Sequence, residues 1–152
     1  VTMHALLSER LNEMNKEEIK KILPHRGNML LLDEAYLEDG IAHGKKKITG
    51  DEWFLDGHFP GNPVVPGVIL CEILAQTTCV SLQEGSCEGK TPYFTGLNNV
   101  KFRHPVVPGD EFKTECEIVK TMGAFRFAKG RGYVGETLCV TADFSFAITD
   151  GK

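Results

Sequence analysis

The sequence predicts an α+β fold in which a curved antiparallel sheet of roughly five to seven strands wraps around one long central helix. Three observations carry this prediction. Residues 68–84 have helical length and are apolar on nearly every side. The second half of the chain alternates apolar and polar residues with period two, as antiparallel strands do when one face lies on a core. Immediately before that helix, residues 51–67 form a loop rich in Gly and Pro. A helix that is apolar nearly all round is a buried one, and a strongly curved sheet would cover it.

The elements follow in chain order. Leu7, Leu11 and Met14 share one helical face. A second short helix is expected from Asn15, which stands at capping-box spacing from Glu18. Ile19, Ile22 and Leu23 form its apolar face, and Pro24 stops it. Strand signals run from Met29 to Ile48, with Asp39-Gly40 as a hairpin turn and Lys45, Lys46 and Lys47 as a solvated strand end. In the loop, Pro60, Pro63 and Pro66 exclude both a helix and a central strand, and each fixes a backbone angle. The helix over 68–84 would be roughly 25 Å long. Short strands are expected at 93–97 and 100–102, then longer ones at 112–120, from Phe125, and at 138–148. Met122-Gly123 and Gly135-Glu136 mark turns between them. The pentapeptide Pro-Val-Val-Pro-Gly occurs at 63–67 and again at 105–109. One copy leads into a helix and the other into a strand, so the two are not units of a repeat.

The composition narrows the function. A chain of 152 residues is expected to be a single domain spanning 1–152. Its hydrophobic and charged fractions, 41% and 25%, exclude a disordered tail or a fibrous protein. A net charge of −4 argues against nucleic-acid binding through a basic surface. No apolar run reaches the roughly 18 residues that a membrane span needs, so no membrane insertion is expected. Glu9, Glu13, Glu17 and Glu18 make the N-terminal region too acidic for a secretory signal, and a cytoplasmic location is expected. The cysteines at 71, 79, 87, 116 and 139 are odd in number and form no CxxC pair. They are read as small apolar side chains in a reducing compartment, with neither a metal site nor a cofactor.

Three features carry candidate chemistry. Glu72 is a carboxylate within the apolar helix. Desolvation there would raise its pKa towards neutrality and make it a proton donor. The alternative is a narrow polar stripe with Gln76 and Gln83 that brings it to solvent. His58 sits in the proline-pinned loop just before that helix, and imidazole suits proton transfer near neutral pH. The other histidines, at 4, 25, 43 and 104, are read as surface or packing residues. Pro66-Gly67 opens the helix, where free backbone N–H groups can polarise a carbonyl oxygen. A base, an acid and such a donor together point to proton abstraction beside a carbonyl, with loss of a group further along.

The run His58-Phe59-Pro60-Gly61-Asn62-Pro63-Val64-Val65-Pro66-Gly67, continuing to Glu72 and Gln76, closely resembles the signature of the bacterial 3-hydroxyacyl-acyl-carrier-protein dehydratases. Ile22 to Arg26, Leu30 to Asp33 and the block from Tyr93 to Asp110 extend the resemblance over most of the chain. It implies the hot-dog fold and dehydration of a (3R)-3-hydroxyacyl thioester to the trans-2-enoyl thioester. His58 would be the base, Glu72 the acid, and the Gly67 N–H the donor to the thioester carbonyl. It implies acyl carrier protein as partner, no cofactor, and a site shared between two subunits. A dimer would then be the minimum and a trimer of dimers the expected assembly. Phe59, Val68 and a gating Tyr93 would line the acyl tunnel, and Lys101 and Arg103, with His104, are candidates for carrier-protein contact. Product destined for phospholipid and product destined for lipid A are equally compatible. Gly27, Asn28 and Met29 depart from the family's aromatic-Pro-Phe pattern, and Cys71 and Cys79 are unusual on the helix. The rivals are a dehydratase–isomerase, which carries aspartate in place of Glu72, a thioesterase, which lacks the His-Phe-Pro-Gly loop, and a non-catalytic acyl-binding module.

Overall fold

A computed structural model of the chain describes residues 13–82 and 84–150. Leu7, Leu11 and Gln83 lie outside them. Met14, expected on a helix with Leu7 and Leu11, instead bridges Ala35 in extended conformation. Helix α1 (Lys16–Ile19) starts as the sequence indicates. The Asn15 side chain accepts from the Glu18 N–H, and the Glu18 carboxylate accepts from the Asn15 N–H. It is shorter than expected: past Ile19 the chain continues as a turn in which the Lys21 and Ile22 N–H groups bond only three residues back, and Ile22 and Leu23 are buried in the core nevertheless.

A 3₁₀ turn at Gly27–Met29 occupies the start of the expected strand region, and β1 (Glu34–Glu38) begins later. Asp39 and Gly40, both at positive φ, turn it back into β2 (Ile41–Lys47). A further 3₁₀ turn (Trp53–Leu55) interrupts the loop before helix α2 (Gly67–Cys79). Strands β3 (Lys90–Phe102), β4 (Glu111–Met122), β5 (Phe125–Val134) and β6 (Thr137–Asp150) complete one six-stranded sheet. Its order is β1-β2-β4-β5-β6-β3, with every pairing antiparallel.

Helix α2 is the packing centre. Ile73 and Leu74 are fully buried and share one core with Phe112 and Cys116 of β4, Ala128 of β5, and Val140, Ala142 and Phe144 of β6. Close approach demands glycine on the inner face of β5. A Cβ on Gly132 would run into the Phe112 ring, and one on Gly130 would press on the Cys116 thiol. The helix ends at Cys79 rather than at 84. Thr77 and Thr78 turn their hydroxyls back to the Ile73 and Leu74 carbonyls. Beyond them the N–H groups of Val80, Ser81 and Leu82 bond only three residues back. The two short strands expected at 93–97 and 100–102 are one strand, β3. Register shifts between Phe94 and Gly96, and between Asn98 and Lys101, break its alternation.

Candidate active site

The loop before α2 is tied at both ends. His58 and Val64 bond across it: the Val64 N–H donates to the His58 carbonyl at 2.9 Å, and the His58 ring Nδ1 lies 2.8 Å from the Val64 carbonyl. Between them Phe59 and Asn62 exchange a pair of backbone hydrogen bonds. A carbonyl oxygen can only accept, so the hydrogen belongs on Nδ1, and Nε2 keeps its lone pair in the neutral ring. The Phe59 ring stacks on the imidazole with centroids 4.0 Å apart. The sequence therefore holds a histidine in one orientation and one tautomer, using its own backbone.

The two Pro-Val-Val-Pro-Gly copies meet here. The Val65 N–H donates to the Val106 carbonyl at 2.9 Å, and both valines are buried. Their contact closes a cleft of about 550 Å³ whose walls include His58, Pro66, Gly67, Val68, Phe102 and Arg103. Gly67 is the first residue of α2, so its N–H has no partner within the helix. A Cβ there would lie 2.8 Å from the Phe102 ring. Only glycine brings the helix start this close to the end of β3. An imidazole acceptor, a helix-start N–H and apolar walls can together take up a proton and a developing negative charge.

Glu72 is absent from that cleft. Five residues beyond Gly67, it lies about 140° further round the helix and faces residues 25–31. Its Oε1 accepts from the Gln76 amide at 3.0 Å and lies 3.3 Å from His25 Nε2. The carboxylate is 21% exposed. Gln76, read from the sequence as part of a solvated stripe, is only 1% exposed. Its Oε1 accepts from the Leu31 N–H, and its Nε2 also donates to the Met29 carbonyl. The stripe is thus a tether from α2 to the preceding segment. One chain does not bring His58 and Glu72 into one cleft.

Phe59 and Tyr93 are exposed, as is Val68 at 70%. Tyr93 lies on β3 opposite Ala147 and does not line the cleft. Of the basic candidates, Arg103 and His104 line it, whereas Lys101, opposite Thr141 and exposed, does not. Sequence reasoning passed over His25 and Phe102. His25 had one available signal, its place within the Ile22-to-Arg26 block. Burial holds the Cys71 thiol, beside Glu72 in sequence, above its ordinary pKa.

An antiparallel sheet curved around a central helix, entered through a loop that presents a histidine, defines the class of hot-dog proteins to which dehydratases belong. Within it the chain is a member of the FabA-like family, whose model, described as a FabA-like domain, matches residues 23–143. The 3-hydroxyacyl-acyl-carrier-protein dehydratase FabZ of Alkaliphilus metalliredigens is 43% identical over 141 residues, covering 90% of this chain and 95% of that protein. The protein of the same name from Moorella thermoacetica is 42% identical over 138 residues, covering 89% and 96%. Among solved structures, the dehydratase heterocomplex ApeI:P from Xenorhabdus doucetiae is similar, with a TM-score of 0.71 at 18% identity over 88% of this chain and 91% of that one. At that identity the likeness shows the fold alone.

Proposed function

We propose that this chain dehydrates (3R)-3-hydroxyacyl thioesters borne on acyl carrier protein, within bacterial fatty acid synthesis, and works in the cytoplasm. The observation that carries the mechanism is the His58 Nδ1 contact to the Val64 carbonyl. It leaves Nε2 as the base, in the same cleft as the Gly67 N–H. The Cα–H proton of the thioester passes to His58 Nε2, and its electron pair moves onto the thioester oxygen held by Gly67. The pair then returns to form the Cα–Cβ double bond as the Cβ–O bond breaks. Glu72 protonates the departing hydroxyl, which leaves as water. His58 returns its proton and Glu72 regains one before the next turnover. No cofactor enters this scheme.

Glu72 would come from a second subunit, because it does not face the His58 cleft of its own chain. The apolar side chains of Phe59, Val68, Tyr93 and Phe102 stand exposed on the single chain, where a second copy and an acyl chain would cover them. A dimer is then the smallest active unit and a trimer of dimers the proposed assembly. Arg103, with Lys101 and His104 nearby in sequence, would meet the acidic carrier protein.

The test is an assay on a 3-hydroxyacyl thioester attached to carrier protein, following enoyl product and free thiol together. Enoyl formation without thiol release is expected. Thiol release would make the chain a thioesterase, and neither product from a folded oligomer would make it an acyl-binding module. Glu72→Gln is expected to keep the fold and lose roughly 10²–10⁴-fold in turnover, because an amide cannot donate the proton. Near-wild-type turnover would remove Glu72 from the scheme.

A further inference from the structure

Two groups converge on a single oxygen of Glu72. The Gln76 amide donates to Oε1 at 3.0 Å, and His25 Nε2 lies 3.3 Å from the same atom. No described group is bonded to Oε2. His25 is mostly buried, with 19% of its side chain exposed. Its Nδ1 is fully buried and has no hydrogen-bond partner, the only such side-chain atom among the described residues. A hydrogen on Nδ1 would be a buried donor with nothing to receive it, which costs free energy. Of the two neutral tautomers, the one with hydrogen on Nε2 leaves only a lone pair buried and sets its N–H beside Glu72 Oε1, at ion-pair range rather than in a formed hydrogen bond.

From this convergence we propose that His25 is a positioning residue for Glu72. With Gln76 it holds Oε1 and so leaves Oε2 as the oxygen that carries the proton to the substrate hydroxyl. Pro24 and the Arg26 side chain fix the backbone at this position. The Arg26 guanidinium donates to the carbonyls of Lys20, Leu23 and His25 itself, so the imidazole is mounted on a stiff turn. The inference rests on Glu72 acting as the acid. It adds that the carboxyl has one anchored and one working oxygen, and that the anchor includes a histidine outside the His58 loop.

The experiment compares His25→Phe, His25→Gln and Glu72→Gln, with the His25→Phe, Glu72→Gln double variant, in the folded oligomer on the carrier-protein thioester. His25→Phe keeps the ring volume and removes the donor. It is expected to lower kcat about tenfold with KM little changed, the mark of an interaction that serves the transition state. His25→Gln puts an amide N–H near the place of Nε2 and is expected to recover most of that loss. In the Glu72→Gln background His25→Phe is expected to add nothing, since the two residues act as one unit. An unchanged kcat in His25→Phe, or a loss as large without Glu72 as with it, would overturn the proposal. Should His25→Phe fail to assemble, His25→Asn replaces it. Its amide sits near Nδ1 instead, and activity equal to that of His25→Gln would overturn the proposal too. Wild-type turnover in Glu72→Gln would instead overturn the acid assignment itself.

Discussion

Gln76 shows how much one buried polar side chain can organise. Its amide satisfies the Leu31 N–H, the Met29 carbonyl and Glu72 Oε1 at once. Replacing it with a leucine of similar volume would strand the Leu31 N–H in the interior. An unsatisfied buried donor costs about 1–3 kcal/mol. Gln76→Leu is therefore expected to lower unfolding stability by about that amount, read by denaturant at fixed protein concentration, and to lower turnover through the loosened Glu72. Unchanged stability would mean that the 25–31 segment finds another way to pack. The sequence names Gln76 as a helix residue one turn from Glu72, but its partners are 45 and 47 positions away, so local spacing cannot reveal them. The same holds for His25 against Glu72. His58 differs, because its fixing partner Val64 lies in the same proline-pinned loop. This is why that residue was legible from the sequence.

Elements were legible wherever periodicity was uninterrupted. β4 and β6 alternate in sequence and lie where the pattern puts them, although Cys139, Ser145 and Ala147 on the other face of β6 are buried as well, and α2 begins at Pro66-Gly67 as the punctuation indicates. Boundaries set by side-chain to backbone bonds, such as the end of α2 at Thr77 and Thr78, have no periodic trace. The register shifts of β3 disguised one strand as two for a related reason. The α2–β4 contact yields a prediction of its own. Burial pushes the Cys116 thiol up to about 12 and the Cys79 thiol higher still. Cys116 Sγ donates to the Leu74 carbonyl at 3.3 Å. At pH 8 roughly one Cys116 thiol in 10⁴ is ionised, so native protein should resist alkylation there while the denatured chain reacts at every cysteine. Raised thiol pKa values also set a sign. Above about pH 9 the unfolded chain has lost these protons and the folded chain keeps them, so stability falls as pH rises towards 12. Rapid alkylation of native Cys116 at pH 8 would show that the helix–sheet contact opens readily.

At the scale of the whole molecule, β3 lies at one end of the sheet order, so one of its edges has no partner strand among the described residues. It presents Tyr93, Phe94, Leu97 and Phe102 to solvent. A long apolar edge of this kind is a surface on which another chain adds. A twofold partner would contribute the same residues in return, so each dimer would carry two equivalent sites. If each site takes His58 from one subunit and Glu72 from the other, His58→Ala and Glu72→Ala are each inactive alone. A mixed dimer then has one site lacking both groups and one intact. When the two variants are mixed equally and allowed to exchange, half the dimers are mixed and each has one working site of two. Recovery should therefore approach about one quarter of wild-type activity, linear in the mixed-dimer fraction measured by mass spectrometry. Full exchange without recovery would place both residues in a site built by one subunit, and the closure of the His58 cleft would then have to come from motion within the chain.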